Sequence, residues 1–270
     1  MKNQYKVLGG LLVWMVAGHV SASTEWSIKV PAAGLTVSAF SNTGGANTES
    51  NLADGGVSQT IETATLNVYD GGVGVKNNDA YTSGATYWDN KETAEPEHAI
   101  DNNQRYDMVL LSFADMVKLE SVNLGYVNTD SDLTVMRFAL TKADGSQYAA
   151  SDVKNGLLSG ITYSSLADNG WEVVGHYTGT NSTGSRGVNS QELYSSYWLI
   201  GAYNPLVGST DKVFGVGGVD RNNDYFKLNT VIASACTSQC GSTTNVPEPN
   251  SIALMLVGLV GLSRFLRARV

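Results

Sequence analysis

The sequence predicts an all-β fold: an antiparallel β-sandwich of the jelly-roll kind, with an N-terminal signal helix and a short C-terminal transmembrane helix. Short runs of aromatic and β-branched residues recur along the chain, with polar turns between them and no long helical period. Glycine makes up 29 of the 270 residues, above its usual share. Strands that follow one another directly pair antiparallel, and two packed sheets let each strand bury one face.

The first part of the chain predicts three strand regions around a long loop. Residues 26–30 and 35–40 are short apolar runs that predict strands, and residues 57–69 predict the next strand region. Asp70-Gly71-Gly72 then predicts a turn. Residues 41–56 are rich in Asn, Gly, Ser and Thr and predict a surface loop.

The middle of the chain carries the clearest strand pattern. Residues 108–113 form a continuous apolar run, which is typical of a strand covered on both faces. Residues 117–126 alternate with a period of two, apart from one step near Glu120-Ser121 that predicts a β-bulge. Residues 133–138 predict the strand that follows.

The second half predicts fewer elements. Its predicted strands are residues 171–177, 197–203 and 225–233, and residues 150–154 predict a short helix. Residues 178–188 consist mostly of Gly, Ser, Thr and Asn and predict a loop.

The N-terminus predicts export through the Sec machinery. Lys2 and Lys6 form a basic start, residues 7–20 an apolar stretch, and small residues up to Ala22 a cleavage site. A permanent N-terminal membrane span is the alternative, but the apolar run is short for it. The predicted division is a signal peptide at 1–22, a β-sandwich domain at 23–235, a disulfide and linker at 236–245 and a sorting signal at 246–270.

The C-terminus has three parts in a fixed order. They are the breaker Val246, Pro247, Glu248 and Pro249, the apolar run 252–262, and the basic end with Arg264, Arg267 and Arg269. At 1.5 Å per residue the apolar run spans about 17 Å, short of the ~30 Å hydrocarbon core of a bilayer. It predicts a short transmembrane helix that anchors weakly, with its arginines on the cytoplasmic side. A buried helix of a soluble domain is the alternative.

This order resembles the PEP-CTERM sorting signal of Gram-negative surface proteins, with Pro247-Glu248-Pro249 as the signature tripeptide. The resemblance implies cleavage near the tripeptide by an exosortase, a membrane-embedded, transpeptidase-like enzyme. It implies a precursor attached to the inner membrane and a product at the cell surface or in the extracellular matrix. Residues 252–270 are then expected to be absent from the mature protein.

Several internal blocks resemble the family of exosortase-dependent surface proteins. They are residues 99–102 leading to Asp107, and residues 124–126, 130–135, 198–203 and 224–228. The resemblance implies a location and an architecture, and it brings no catalytic residues with it.

The charge balance narrows the possible partners. Without residues 1–22 and 250–270 the chain has 12 basic and 25 acidic residues, a net charge of −13. Non-specific nucleic-acid binding needs clusters of Lys and Arg, so nucleic acid is not an expected partner. An acidic surface suits solubility outside the cell and the binding of divalent cations.

The sequence does not predict an enzyme. Only His98 and His176 remain after processing, without zinc-ligand spacing, and Gly-x-Ser-x-Gly does not occur. We expect His98 in a solvated loop and His176 half-exposed in a sheet. A Ser-His-Asp set or a carboxylate pair could still assemble in space, which leaves a secreted hydrolase as a lesser alternative.

Calcium is the candidate ligand, and no other cofactor is predicted. The densest groups of oxygen ligands beside strong strands are Asp101 with Asp107, and Asp130 with Asp132. Asn222-Asn223-Asp224 repeats the same composition. The alternative is turn chemistry, because Asn and Asp side chains bond to their own backbone.

Cys236 and Cys240 are the only cysteines, and outside the cytoplasm they predict a local disulfide. Such a short ring contributes about 2 kcal/mol before strain. A metal site lacks further ligands, and disulfides between chains are a lesser possibility.

Exposed aromatic side chains are typical of glycan-binding surfaces. Tyr81, Tyr87 and Trp88 cluster in a loop-like segment and are the predicted glycan-binding residues, whereas Trp171 and Trp198 lie in strands and predict core. The predicted function is a structural or adhesive role in the envelope or its exopolysaccharide. The alternative is a carbohydrate-binding module, with calcium as a candidate requirement.

Overall fold

The structure, a computed structural model, describes one folded unit of the chain. The described residues are 22–30, 32–42, 59–77, 98–103, 105–209 and 211–237. They belong to the first of two compact units, residues 1–237, and the second unit is residues 238–270. The signal peptide up to Ser21 and the sorting signal lie outside the described residues. Within the described part of the chain, no helix is both long and apolar enough to cross a bilayer.

The described chain is mostly β, with one short helix. Its strands are β1 (Ser23–Ser27), β2 (Leu35–Ser41), β3 (Glu62–Thr63), β4 (Thr65–Tyr69), β5 (Gly72–Lys76), β6 (Ile100–Asp101), β7 (Met108–Asn128), β8 (Leu133–Phe138), β9 (Trp171–Tyr177), β10 (Gly184–Gly187), β11 (Ser195–Ala202), β12 (Val213–Phe214) and β13 (Tyr225–Ala235). The helix is α1 (Ala150–Gly156), and short 3-10 turns cover Tyr163–Ser165, Ala167–Asn169 and Pro205–Val207.

Strand β7 is the centre of the sheet. Its first half lies between β2 and β11, with Leu111 opposite both Val37 and Trp198. Its second half lies between β10 and β13, with Val122 opposite both Arg186 and Val231. The sequence predicted two strands here, but the structure has one of 21 residues.

The other strands extend this sheet in both directions. From β11 the order continues through β8 and β9 to β12, and from β13 it continues through β5 to β4. β1 and β6 also pair with β13. All these pairs are antiparallel except β9 with β12, so the sheet is mixed and mostly antiparallel.

Two hydrophobic clusters cover opposite faces of the central strands. The first contains Val109, Leu111, Trp198 and Ile200 among its members. The second contains the alternate residues of the same strands, such as Leu110 and Leu199, and joins them to Val153, Leu158 and Leu166 of the helical segment. Successive strand residues point to opposite faces, which explains why a continuous apolar run was the right signal for a strand buried on both sides.

The predicted bulge is confirmed at Glu120. Ile232 of β13 pairs with Ser121 and the next residue, Ala233, pairs with Leu119, so Glu120 has no pairing partner in β13. The extra residue reverses the alternation. Leu119 before it and Val122 after it therefore join the same core cluster.

Three local predictions were wrong. Residues 178–188 contain β10, whose Gly/Ser composition gives no strand signal because its pairing with β7 needs only the backbone. His176 is fully buried rather than half-exposed, since β9 lies between β8 and β12. His98 is also buried, and its ring packs on Tyr69 with the centroids 4.5 Å apart.

Candidate functional site

Three aspartates meet at one end of the sheet. Asp130 and Asp132 lie in the turn between β7 and β8, and Asp224 directly precedes β13. Because β13 pairs antiparallel with β7, its start lies beside the end of β7, and the Tyr225 N–H donates to the Asp130 carbonyl at 3.1 Å. One carboxylate oxygen from each aspartate lies within 4.8 Å of the other two.

Backbone and amide donors hold two of these carboxylates in place. Asp132 accepts hydrogen bonds from the N–H groups of Gly179 and Asp220. Asp224 accepts from the Asp132 N–H at 2.7 Å and from the Asn102 side-chain amide at 2.8 Å. The cluster is therefore built by four separate loops.

Burial and repulsion by neighbouring acids raise the pKa of Asp132 and Asp224. Asp132 and Asp224 are only 2% and 1% exposed. Loss of solvation, followed by the nearby Asp132 charge, raises the pKa of Asp224 to about 9. Loss of solvation also raises the pKa of Asp132, with Asp130 and Asp220 adding to the effect. At neutral pH a bound proton or a bound cation is needed to offset the negative charge of these carboxylates.

Arg186 supplies a nearby positive charge. Its guanidinium donates to the Ser131 carbonyl at 2.7 Å and to the Ser131 hydroxyl, within the same turn as Asp130 and Asp132. Burial lowers the pKa of Arg186, while the charges of Asp130, Asp132 and Asp224 raise it. One guanidinium offsets part of the charge of three carboxylates.

The spacing of the oxygens is compatible with a calcium ion. Ca²⁺ binds six to eight oxygens at 2.3–2.6 Å, so opposite ligands lie up to about 5 Å apart. The 4.8 Å limit within the cluster falls inside that diameter. Three carboxylates would supply part of the ligand set, with backbone carbonyls or water completing it.

The predicted calcium residues fall into two places. Asp130 and Asp132 belong to the cluster, whereas the cluster does not include Asp101 or Asp107. Asp101 is in β6 and accepts from the Asn103 N–H. Asp107 accepts from the Asn77 amide at 2.6 Å, and its charge contributes to the raised pKa of Tyr163, after the larger effect of burial.

Asp224 is the residue that the sequence prediction missed. The shared Asn/Asp composition of residues 222–224 was a usable signal, but nothing local indicates that this segment lies beside residues 130–132. The long-range pairing of β13 with β7 brings them together.

A buried threonine–histidine pair lies at the same end of the sheet. The Thr134 hydroxyl is 2.9 Å from Nδ1 of His176, and Nε2 of His176 is 3.0 Å from the Gly208 carbonyl. A carbonyl oxygen only accepts, so Nε2 carries the hydrogen, and Nδ1 of the neutral ring accepts from the Thr134 hydroxyl, which itself accepts from the Asn204 N–H. Burial lowers the pKa of His176, in line with a neutral ring. The cavity beside Thr134 has a volume of about 20 Å³, room for one water molecule.

The predicted glycan-binding residues and the sorting signal lie outside the part of the chain that the structure describes. Tyr81, Tyr87 and Trp88, and the sorting-signal residues from Val246 to Arg269, lie outside the described residues. Cys236 follows β13, and its N–H donates to the Met116 carbonyl at 2.8 Å. Cys240 lies outside the described residues, so the disulfide stays a prediction.

Comparison with protein-family models, with curated proteins and with solved structures finds no match to this chain.

Proposed function

We propose that this chain is the precursor of an exported cell-surface or extracellular-matrix protein, processed by an exosortase, with a non-catalytic structural or adhesive role. The observation that carries the proposal is the order of the C-terminal parts: Pro247-Glu248-Pro249, the apolar run 252–262 and the arginine-rich end. The basic and apolar N-terminus supports the same export route. Exopolysaccharide is the expected surrounding material.

We also infer a finer architecture, a β-sandwich of the jelly-roll kind. Its support is β7, whose two halves pair with different partners on both sides. A strand of 21 residues that changes partners in this way can belong to two sheets, and one core cluster contains residues from both of its halves.

The geometry favours a non-catalytic domain over a hydrolase. The Asp132 and Asp224 side chains are almost fully buried, and each of their carboxylate oxygens already accepts a hydrogen bond, so a glycosidic bond cannot enter between them without rearrangement. The space beside the Thr134–His176 pair is too small for a substrate.

Intact-mass measurement on surface-exposed material tests the sorting proposal. We expect a C-terminus upstream of Ile252, because residues 252–270 are a recognition segment that the exosortase removes and not a permanent membrane anchor. Pro249→Ala should leave the full tail attached, and Pro205→Ala, in a 3-10 turn of the folded domain, should be processed normally. Surface material that still ends at Val270 would contradict the proposal.

A calcium-dependent carbohydrate-binding module is the second candidate, and the cluster of Asp130, Asp132 and Asp224 favours it. Calcium titration of the chelator-treated chain, by calorimetry and by melting temperature, tests the metal. At a calcium concentration tenfold above Kd, linkage adds about 1.4 kcal/mol to the free energy of unfolding.

The matched pair of variants is Asp132→Asn and Asp115→Asn. The first removes a carboxylate of the cluster and should abolish the calcium-dependent shift. The second removes an exposed carboxylate of β7 and should preserve it. No heat and no shift at millimolar calcium would rule out the metal and leave a shared proton as the state of the cluster.

A further inference from the structure

A solvent-open groove lies at the edge of the sheet, beside the acidic cluster. It has a volume of about 560 Å³ and is lined by residues that include Tyr177, Thr178, Thr180, Arg186, Val188 and Phe214. One wall is the end of β9 with β12, and the other is β10 and the residues after it. The volume lies in the range of small-molecule sites, about 300–1,000 Å³.

Two stacked aromatic rings line the groove. Phe214 stacks on Tyr177 with the ring centroids 5.3 Å apart and the planes 22° from parallel. The Tyr177 hydroxyl accepts from the Asn189 N–H at 2.7 Å, which fixes that ring. Gly175 makes the stack possible, because a Cβ there would lie 2.7 Å from the Phe214 ring. The stacked rings give the groove an apolar aromatic surface.

The rim of the groove is polar but nearly uncharged. Thr178, Thr180 and Ser190 contribute hydroxyl groups. Among the described residues that line the groove, Arg186 is the one with a charge, and it faces the carboxylates of Asp130, Asp132 and Asp224. An anionic ligand would be repelled by these three carboxylates, and a cationic ligand would be repelled by the Arg186 guanidinium. The groove therefore favours a neutral ligand.

We propose that this groove binds a short neutral oligosaccharide. A sugar ring presents an apolar C–H face, which fits a flat aromatic surface, and a periphery of hydroxyls, which fits threonine, serine and backbone groups. The inference deepens the adhesive role proposed above by naming the ligand class and its place. It uses residues different from the predicted Tyr81, Tyr87 and Trp88.

A glycan array probed with the purified full-length chain tests this assignment. The array carries neutral hexose oligosaccharides and matched uronic-acid oligosaccharides. We expect binding to neutral members, and hydrogen exchange should show protection by a bound neutral oligosaccharide at residues 177–190 and 213–216. Binding to no neutral member, or a preference for the uronic acids, would overturn the proposal.

Variants locate the binding within the groove. Phe214→Ala removes the outer ring of the stack and should weaken binding about tenfold. The matched control is Tyr148→Ala, which likewise truncates a half-buried aromatic side chain. Tyr148 lies outside the groove, so this variant should leave binding unchanged. Thr180→Val removes one exposed rim hydroxyl without opening the core, so it tests the site even if Phe214→Ala fails to fold.

Unchanged binding in Thr180→Val, together with unchanged binding in Phe214→Ala if that variant folds, would place the ligand elsewhere and refute the groove. The sorting proposal is tested by the intact mass of surface material, whereas the groove is tested by glycan binding of the purified chain. A failure of the groove therefore leaves the sorting proposal standing, and the reverse also holds.

Discussion

At the scale of single residues, Asp224 and Lys227 show two ways of burying a charged group in β13 or beside it. Lys227 is 3% exposed, and its ammonium lies over the rings of Tyr69 and Tyr126, 4.4 and 4.2 Å from their centroids. Cation–π contacts of this kind stabilise the charged form. Burial, followed by the nearby Asp132 charge, instead raises the pKa of Asp224, so its neutral form is favoured at neutral pH.

The raised pKa of Asp224 predicts that alkaline pH destabilises the calcium-free chain. The folded chain holds a proton up to about pH 9, whereas an unfolded aspartate releases it near pH 4. Stability from this proton is present below about pH 4 and is lost as the pH rises through that window. The free energy of unfolding should fall by about 1 kcal/mol per pH unit between pH 7 and pH 9. Urea unfolding in the presence of chelator measures it.

Asp130→Asn is the informative variant for this pH dependence. It keeps an acceptor for the Ser131 N–H and removes one of the charges that raise the pKa of Asp132 and Asp224, so the decline should become shallower. Asp220, Arg186 and Tyr203 interact electrostatically with the cluster. His176 affects the stability only below about pH 6.5. Burial lowers its pKa, so the unfolded chain binds a proton there more readily than the folded chain, and acid lowers the free energy of unfolding. An unchanged slope in Asp130→Asn would contradict the assigned cause.

At the scale of elements, the bulge in β7 sets which side chains enter the core. Glu120 is the inserted residue, and its carboxylate accepts from the hydroxyls of Ser23 and Ser234. The hydrogen bond from Ser234 is the largest cause of the lowered pKa of Glu120. The bulge thus also ties together β1, β7 and β13.

Deletion of Glu120 should abolish cooperative unfolding. Without the extra residue, Val122 and Leu124 would turn to the opposite face, because the side-chain period of a strand is two. Glu120→Ala keeps the bulge and loses only partly exposed hydrogen bonds, so it should cost about 1 kcal/mol. Urea unfolding followed by the fluorescence of the buried Trp171 and Trp198 distinguishes the two variants. Equal stabilities would show that the register does not depend on the bulge.

At the scale of the whole molecule, the strand pattern was predictable because burial on both faces leaves a local trace. The continuous run at 108–113, the alternation after it and the burial of Trp171 and Trp198 all follow from side-chain type and spacing. β10 and β12 were not predictable, because β10 is composed mostly of Gly and Ser, β12 has only two residues, and both gain their structure by pairing with strands distant in the sequence.

The candidate sites divide in the same way. Asp130 and Asp132 were found because they are neighbours in the sequence beside a strong strand. Asp224 and the groove between Phe214 and Arg186 depend on contacts between residues far apart in the chain.

The sequence by itself determined the β class, the bulge at Glu120 and the acidic balance, because each depends on residue types and their local order. The export and sorting proposal also comes from the sequence, since its two signals are linear. Only the tertiary structure decided that β7 is one strand, that Asp224 joins Asp130 and Asp132, and that Phe214 stacks on Tyr177. These features arise from contacts between segments far apart in the chain, and such contacts leave no local pattern of residue types from which they could be predicted.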